Sequence, residues 1–570
     1  MMRNRSSTSN KNDHNNRSKG EEERDGSGGS GSSYNRSSTG NLRGGANPTP
    51  ASTSFSFSFV SLLKYYYIEL TQYEFYDTIF LCMLIVFELL LSLGIVKYVK
   101  YTEIDWIAYM EEVDTWYDGN SGVGEYDYMK IKGNTGPLVY PAGFLYLYKI
   151  IQIITGRDNI KNAQYLFVVL YVFTQCIVFL LYTQVIQYYR RKQNQQQQIQ
   201  RLNTTTTTTS STTTTTTAAA AAASTSTSTT IWSLRICMIC LCLSKRYHSI
   251  FLLRLFNDGP TMLVTYLSFY FFLQHQWCIG CFIYSVAVSL KMNVLLFAPG
   301  LLYLLLQQTN FHIINTIFPY LFICGITQLL LGYPFLSRYP ISYLRKAFEL
   351  DRIFFYKWTV NWKFLSEHWF LSKYWSVFLL TLHVTLLCLY YFKLYYNNNN
   401  NDKNSKKQQK QQQQEKSSTA MTPDHILSTL FVSNFIGICC ARTIHYQFYS
   451  WYVSSLPMLL WNQQTQTTQQ DSSDSDSSSF FYSCYPLPVR IVLLICCEYA
   501  YLVFPATSTS SMILQVAHWS ILLPHFYYLY YQKQQPTTSI STATSTSSSP
   551  STSSSPTTNK DDTTNDKKKD

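Results

Sequence analysis

Residues 79–97, IFLCMLIVFELLLSLGIVK, decide the fold of this chain. They are apolar apart from Glu88 and Ser92 in the interior and Lys97 at the end, and they exceed the ~18 residues that a helix needs to cross a bilayer. In lipid every backbone polar group must be paired internally, and this stretch lacks the alternation of a barrel strand. It therefore predicts a transmembrane helix.

Apolar segments of the same kind recur along the rest of the chain. They lie at 163–188, 231–249, 259–275, 277–291, 293–307, 313–333, 373–396, 425–441, 450–461, 488–505 and 511–531. Together with the first segment they predict an all-α polytopic membrane protein with about 10–12 transmembrane helices and lumenal loops.

A mean hydropathy of −0.07 averages two kinds of sequence, apolar segments and polar low-complexity tracts. The polar tracts predict disorder. The predicted organisation is a disordered cytoplasmic N-terminal tail (1–54), a transmembrane domain (55–532) with inserts at 193–230, 397–420 and 462–479, and a disordered cytoplasmic C-terminal tail (533–570). This pattern excludes a soluble multidomain protein and a wholly disordered chain.

The formal net charge of +12 does not indicate nucleic-acid binding, because the basic residues are interleaved with membrane-length segments and report orientation. The basic stretches 190–230 and 397–420 are expected in the cytoplasm, with both termini. Loops 98–162 and 334–372 then face the lumen. Loop 334–372 is itself basic, which indicates either the opposite orientation or an anionic ligand.

The chain ends with lysines third and fourth from its last residue, Lys568 and Lys567. This spacing is typical of a dilysine signal that COPI-type retrieval machinery reads, and it predicts a multi-pass protein of the endoplasmic reticulum membrane. The alternative is a polar tail that serves solubility alone.

The first lumenal loop is rich in acids between residues 103 and 127 and continues into TGPLVYPAG (135–143) and an apolar stretch, 144–154. We expect a short amphipathic helix on the membrane surface there. Carboxylates at such an interface suit a sugar site, where one can act as general base. Asp105 and Glu103 are the candidates, and a capping box between Thr102 and Asp105 is the structural alternative.

Polar residues at other span ends are further candidates for substrate binding, because polar groups at membrane depth are costly unless paired or functional. The candidates are Arg254, Asn257, Asp258, Lys291, Asn293, Trp358, Asn361, Arg442, His445, Tyr446 and Gln447. Arg254 and Asp258 could instead form an i, i+4 ion pair. The group at 442–447 could hold a lipid phosphate or belong to an interfacial aromatic belt, and Trp358 and Asn361 could contact a sugar.

Seven motifs carry a resemblance to a known family. They are YTEIDW (101–106), TGPLVYPAG (135–143), RLFND (254–258), KMNVLLFAPG (291–300), WTVNW (358–362), SNFIGIC (433–439) and HYQFYSW (445–451). In this order they resemble the dolichyl-phosphate-mannose-dependent α-1,3-mannosyltransferases of lipid-linked N-glycan precursor assembly, which are GT-C type glycosyltransferases.

The resemblance implies a catalytic transmembrane domain that transfers mannose from dolichyl phosphate mannose to the five-mannose dolichyl-diphosphate oligosaccharide. It implies Asp105 as the base of an inverting displacement, with Glu103 as its rival. Because a phosphate ester leaves as a stable anion, a general acid is dispensable. No Asp-x-Asp motif stands in the lumenal loops, so we expect no obligatory metal and no cofactor beyond the donor lipid, which would enter from the surrounding membrane lipid. The alternatives are a related enzyme with another acceptor, such as a glycolipid-anchor (GPI) precursor, or a lipid or sugar transporter.

Overall fold

A computed structural model describes residues 74–117, 124–206, 231–348, 355–409, 421–461 and 485–531. The described residues all lie within one compact unit, Val60–Asp570. The predicted tails, the insert at 462–479 and both C-terminal lysines lie outside the described residues. Nearly all regular structure in the described ranges is helical.

The first half of the chain contains one long helix on either side of a folded loop. In chain order its elements are α1 (Glu74–Tyr98), α2 (Trp106–Trp116), β1 (Lys132–Gly133), β2 (Gly136–Pro137), α3 (Ala142–Thr155), α4 (Ile160–Thr206), α5 (Ile231–Cys242), α6 (Lys245–His248), a π-helix (Ser249–Leu253), α7 (Asp258–Leu273) and α8 (Trp277–Leu290).

The second half alternates longer helices with single helical turns. Its elements are a 3₁₀ helix (Met292–Phe297), α9 (Ala298–Gln308), α10 (Ile313–Thr316), a second π-helix (Ile317–Leu321), α11 (Phe322–Leu336), α12 (Pro340–Ala347), a 3₁₀ turn (Tyr356–Trp358), α13 (Glu367–Leu371), α14 (Lys373–Gln409), α15 (Pro423–Cys439), 3₁₀ turns (Tyr446–Trp451 and Val453–Ser455), α16 (Leu456–Trp461), α17 (Leu487–Leu502) and α18 (Ser508–Tyr531).

Four helical stretches in the described ranges are long and apolar enough to cross a membrane: Phe75–Tyr98, Ile160–Gln195, Ile313–Leu336 and Lys373–Asn397. Helix α5 and the stretch Lys245–Leu253, bent by 47°, make a fifth if they form one broken span. The predicted class, an all-α polytopic membrane protein, is confirmed. Fewer full-length spans meet this criterion than the 10–12 predicted, because several apolar segments fold as shorter helices, such as the 14-residue α8.

Helix α1 turns its polar residues inward and its apolar residues outward. Glu88, Ser92 and Val96, spaced four apart, are fully buried, whereas the Met83 and Leu90 side chains are 66% and 64% exposed. A lipid-facing helix needs this arrangement, since its apolar surface meets hydrocarbon and its polar groups must find partners inside the bundle.

Loop 98–162 folds into a small subdomain. Its β1–β2 hairpin packs on α2 so closely that a Cβ on Gly133 would lie 2.5 Å from the Ala108 carbonyl oxygen, which requires glycine there. Its core continues to Phe335 and Tyr343 of the second half. The loop is thus a packed structure that can hold side chains in fixed positions.

The predicted amphipathic helix at 144–154 is present as α3. One face, with Phe144, Tyr148 and Ile151, is buried, while the Ile153 and Ile154 side chains are 72% and 62% exposed. This exposed isoleucine face is what a helix at a membrane surface requires.

Two helices continue past the predicted starts of the polar inserts. Helix α4 runs to Thr206, beyond position 193, and α14 runs to Gln409, beyond position 397. The hydropathy boundary therefore did not mark the helix ends, because a helix can leave the membrane without unwinding. The remaining parts of these two inserts, 207–230 and 410–420, lie outside the described residues.

Candidate active site

The centre of the candidate site is a buried ion pair between Asp258 and Lys291. The Lys291 Nζ lies 2.9 Å from both carboxylate oxygens of Asp258, and the indole N–H of Trp451 also donates to that carboxylate. Asp258 is the first residue of α7, where the helix dipole favours a negative charge. Lys291 follows α8 in an extended conformation, which ends that helix and directs the backbone into the next turn.

Aromatic rings from two distant motifs surround the ammonium group. The Lys291 Nζ lies 5.3 Å from the ring centre of Tyr140, 5.8 Å from Phe448 and 5.7 Å from Trp451. Cations are attracted to such ring faces. The motifs TGPLVYPAG, RLFND, KMNVLLFAPG and HYQFYSW therefore meet at one place.

Asp105 adds a second carboxylate beside this ion pair. It is partly buried and stands at the N-cap position of α2, with no side-chain capping bond. The hydroxyl of Tyr109 donates to it over 3.4 Å and also lies 3.4 Å from the Tyr140 hydroxyl. Burial raises the pKa of Asp105, Lys291 lowers it in part, and Asp258 raises it again.

Glu103 takes the structural role that the alternative of a capping box gave to Thr102 and Asp105. That alternative is wrong, because α2 begins at Trp106 and Asp105 precedes its first turn. Instead the Glu103 carboxylate accepts the backbone N–H of Ile107 at 3.1 Å and the hydroxyl of Tyr101 at 2.5 Å, in an exposed setting. The geometry thus separates a capping Glu103 from a partly buried Asp105.

Other acids of the loop mainly hold it together. Asp114 pairs with Arg157 at 2.7 Å, and Glu111 accepts the backbone N–H of Asn134 at 2.6 Å. The hydroxyl of Ser342 donates to Asp127, and this bond lowers the pKa of Asp127. The acid-rich composition therefore reflects loop structure more than a cluster of catalytic groups.

The alternative of an ion pair between Arg254 and Asp258 is wrong, since Asp258 pairs with Lys291. Arg254 donates to the hydroxyl of Ser249, and its side chain is partly buried, which lowers its pKa through desolvation. Residues 254–257 precede α7, so i, i+4 spacing does not bring the two side chains together. Arg254 has no carboxylate within ion-pair distance among the described residues.

The two predicted asparagines of this region differ in how their amides are used. Asn257 donates to the Leu290 carbonyl at 3.1 Å and so ties α7 to the end of α8, while its side-chain oxygen has no hydrogen-bond partner among the described residues. Asn293 is 9% exposed, and both of its side-chain polar atoms are buried without a hydrogen-bond partner in the described residues. An unpaired buried amide is costly, so Asn293 is the better placed of the two to bind a ligand.

Motif WTVNW is hydrogen-bonded to the segment that contains Arg442 and His445. The amide of Asn361 donates to the Ala441 carbonyl at 2.7 Å and accepts the backbone N–H of Ile444 at 2.9 Å. Arg442 donates to Ser376 and to the Phe370 carbonyl. Asn361 and Arg442 thus fix the backbone just before His445, whose ring stacks on Phe448 with centroids 5.2 Å apart.

The remaining predicted binders lie at the edge of this segment. Trp358 is 43% exposed and stacks on Phe504. The Tyr446 hydroxyl donates to the Val503 carbonyl at 2.8 Å. Gln447 accepts the Ser450 hydroxyl through its backbone carbonyl. None of these contacts reaches the Asp258–Lys291 pair directly, and the predicted binding roles remain predictions.

Sequence reasoning missed three residues of the site. Trp451 and Tyr140 lie in motifs that were recognised, but their positions beside Lys291 depend on long-range packing. Arg246 lies within a predicted apolar segment, and its guanidinium lies 4.9 Å from the ring centre of Tyr446. Its charge inside that apolar segment was the available signal.

The fold and this centre define an all-α polytopic membrane enzyme, with a partly buried carboxylate beside an ion pair and aromatic rings at the ends of its helices. The ALG3 protein family matches residues 82–193 and 198–511. The chain belongs to this family, and the resemblance carried by the seven motifs is confirmed.

Curated relatives cover most of the chain. A Dictyostelium discoideum protein named probable Dol-P-Man:Man(5)GlcNAc(2)-PP-Dol alpha-1,3-mannosyltransferase is 40% identical over 445 residues, 78% of this chain and 90% of that protein. A Homo sapiens protein of that name, without "probable", is 37% identical over 437 residues, 76% of this chain and 84% of that protein. An Arabidopsis thaliana protein so named is 36% identical over 451 residues, 77% of this chain and 86% of that protein.

Proposed function

We propose that this chain transfers one mannosyl group from dolichyl phosphate mannose, in α-1,3 linkage, to the five-mannose dolichyl-diphosphate oligosaccharide of protein N-glycosylation. Family membership supports this function, as do the names of the relatives, which state the donor, the acceptor and the linkage. Those names give no support to a glycolipid-anchor acceptor or to transport.

The observation that carries the chemistry is the link from Asp105 to the Asp258–Lys291 pair. The Tyr109 hydroxyl joins Asp105 to Tyr140, whose ring lies against the Lys291 ammonium group, and both charges of the pair act on the Asp105 carboxylate. In the proposed reaction an acceptor hydroxyl attacks the anomeric carbon while its proton passes to Asp105, and the bond to the donor phosphate breaks. Burial raises the pKa of Asp105, which makes it a stronger proton acceptor. Lys291 limits the rise by favouring the charged form.

Cations close to the site suit the phosphate that leaves. Arg254 has no carboxylate partner among the described residues, and His445 follows the segment that Asn361 and Arg442 hold in place. Charge-assisted hydrogen bonds from such groups stabilise a phosphate anion. We therefore propose transfer with no metal and no cofactor besides the donor lipid, and sugar contacts from Asn293, Trp358 and Gln447.

The proposed location is the endoplasmic reticulum membrane, with loop 98–162 and its carboxylates on the lumenal side. The basic stretch 190–192 supports this orientation through the positive-inside rule. Retrieval through Lys567 and Lys568 is part of the proposal and concerns residues outside the described ranges.

The direct test is product analysis with purified full-length protein in liposomes. Radiolabelled dolichyl phosphate mannose is supplied with the five-mannose acceptor or, as the matched control, with a glycolipid-anchor precursor. We expect one added mannose that an α-1,3-specific mannosidase removes, and no elongation of the control. Elongation of the anchor precursor alone, or of neither acceptor, contradicts the proposed function.

A further inference from the structure

The π-helix Ser249–Leu253 lies directly before the charged residues of the site. Its last residue precedes Arg254, and Asp258 opens α7 shortly afterwards. A π-helical turn widens the backbone and interrupts the usual i→i−4 bonding, and such turns are frequent at functional sites. The carbonyl groups that this turn leaves available must find partners elsewhere.

Two such partners come from separate parts of the chain. The backbone N–H of Thr102 donates to the Leu253 carbonyl at 3.0 Å, and the side-chain amide of Gln164 donates to the Leu252 carbonyl at 2.7 Å. Thr102 lies in the same short segment as Asp105. The peptide that carries the proposed base is therefore hydrogen-bonded to the turn that leads into Arg254 and Asp258.

A buried polar network holds the residue just before the π-helix. The His248 Nε2 lies 2.9 Å from one carboxylate oxygen of Glu88, and the other oxygen accepts from Tyr171 at 3.1 Å and from Gln175 at 2.9 Å. Glu88 is fully buried in α1. An ionisable residue at this depth in a membrane helix is expected to have a specific role.

The protons of this network can be assigned from its acceptors. The His248 Nδ1 lies 2.7 Å from the Ser244 carbonyl, which can only accept, so Nδ1 carries a proton. Nε2 lies within hydrogen-bond distance of both the Glu88 carboxylate and the Tyr171 hydroxyl, at 2.9 and 3.1 Å, so the Tyr171 proton can serve either acceptor. A glutamine at position 88 could donate to Nε2 from its amide and still accept from Tyr171 and Gln175. We therefore infer that position 88 needs hydrogen bonds and not a charge.

We propose that the π-helix Ser249–Leu253 is the element that sets Asp105 against the Asp258–Lys291 pair, and that Gln164, Glu88 and His248 are positioning residues that hold it. Gln164 fixes one of its carbonyls, and the Glu88–His248 pair fixes its start. This inference rests on the proposed function only in taking Asp105 as the base. The hydrogen bonds themselves do not depend on the reaction.

The first test is Gln164→Met, which removes the amide donor and keeps the length of the side chain. The control is Thr174→Val on the same helix, because within the described ranges the buried Thr174 hydroxyl bonds only to the Leu170 carbonyl of its own turn. We expect kcat to fall about 10- to 100-fold in Gln164→Met, with a KM for donor within about twofold of wild type. The control should behave as wild type.

Two further readouts separate positioning from general loss of structure. Hydrogen exchange of the peptide 101–106 should be about tenfold faster in Gln164→Met, because the Thr102 bond to Leu253 is loosened. Lys291 lowers the pKa of Asp105. If Asp105 lies farther from Lys291 in the variant, its pKa rises, and the acidic limb of the pH–rate profile should move to higher pH. A merely structural role reduces the amount of folded enzyme without moving this limb.

The second test compares Glu88→Gln with Glu88→Leu. Glu88→Gln should keep kcat within about threefold of wild type, since all its hydrogen bonds can form. Glu88→Leu should lower kcat about tenfold or more, because it leaves His248, Tyr171 and Gln175 without their shared partner. Equal impairment of both variants overturns the proposal, since the charge of Glu88 would then be what matters.

Failure of this inference is distinguishable from failure of the proposed function. If wild type adds no mannose to the five-mannose acceptor, the function is contradicted, and the exchange rate of the peptide 101–106 in Gln164→Met still decides the positioning claim. If wild type is active and Gln164→Met matches it in exchange, kcat and pH profile, the positioning claim alone is overturned.

Discussion

Two of the buried ion clusters invite comparison, because only one has the features of an active site. Near the start of α1, Asp77 binds Arg190 of α4 and Arg235 of α5, and all three side chains are at most 6% exposed. The other cluster is the Asp258–Lys291 pair, buried to a similar degree. Burial and opposite charge alone therefore do not distinguish structure from function.

The difference between the clusters is what surrounds them. The Asp77 cluster joins three helices and stabilises their packing. The Asp258–Lys291 pair has aromatic rings around its ammonium group and a partly buried carboxylate, Asp105, that is not committed to an ion pair in the described residues. A buried ion pair becomes chemically useful when its field acts on a third, accessible group.

The largest effect that sharpens this comparison is expected from Lys291→Met. It leaves Asp258 buried without its cation, which costs about 3–5 kcal/mol of folding free energy. Transfer activity per folded molecule should fall about 100-fold or more, because Asp105 loses the cation that favours its charged form. Steady-state transfer and thermal unfolding on the same samples measure both, and activity within fivefold of wild type would contradict the role of Lys291.

The pH dependence of transfer tests how the charges of the Asp258–Lys291 pair change the pKa of Asp105. Because burial raises the pKa of Asp105, the carboxylate becomes protonated, and activity is lost, at a pH above the ~4 of an ordinary aspartate. Residual activity of Lys291→Met should be lost at still higher pH, since Lys291 lowers that pKa. Profiles of kcat/KM against pH measure both, and an unshifted limb in the variant argues against direct coupling.

A smaller effect is expected from Trp451→Phe. The variant keeps an aromatic ring beside Phe448 and Lys291 but removes the indole N–H that donates to Asp258. Loss of one such bond costs about 1 kcal/mol, or roughly fivefold in rate. Comparing the transfer rates of Trp451→Phe and Phe448→Leu would separate the effect of the hydrogen bond from that of ring packing. An unchanged rate in Trp451→Phe would show that the hydrogen bond is dispensable.

The smallest effect on activity is expected at the other cluster. Arg235→Met should lower the free energy of unfolding by about 1–3 kcal/mol, because Asp77 keeps Arg190 as a partner. Activity per folded molecule should remain within about twofold of wild type. If kcat of Arg235→Met falls clearly although the protein is fully folded, the two clusters are coupled, and the distinction between a structural and a functional cluster fails.

The class of fold and the motifs of the site could be predicted from sequence. The apolar stretch 79–97 identifies a membrane helix by length alone, and the motifs that meet at Lys291 were all recognised. What could not be predicted is how they meet. Asp258 opens α7 and Lys291 follows α8, 33 residues later, and no local spacing brings them together.

Local rules failed where the backbone left regular geometry. Helical spacing suggested an Arg254–Asp258 pair, but Leu255 has a positive φ of 52° and α7 starts only at Asp258. A capping box was the alternative for Thr102 and Asp105, but α2 starts after Asp105 and Glu103 takes the capping role. Both irregular segments lie at the candidate site, where function and regular structure compete.

The central claim is that Asp105, and not Glu103, accepts the proton from the acceptor. The most direct measurement is the single-turnover rate of mannosyl transfer for Asp105→Asn and Glu103→Gln, each purified in folded form and saturated with donor. We expect Asp105→Asn to be slower than wild type by about 10²- to 10⁴-fold, while Glu103→Gln stays within about threefold. Transfer by Asp105→Asn at the wild-type rate, or an equal loss in Glu103→Gln, would contradict the account.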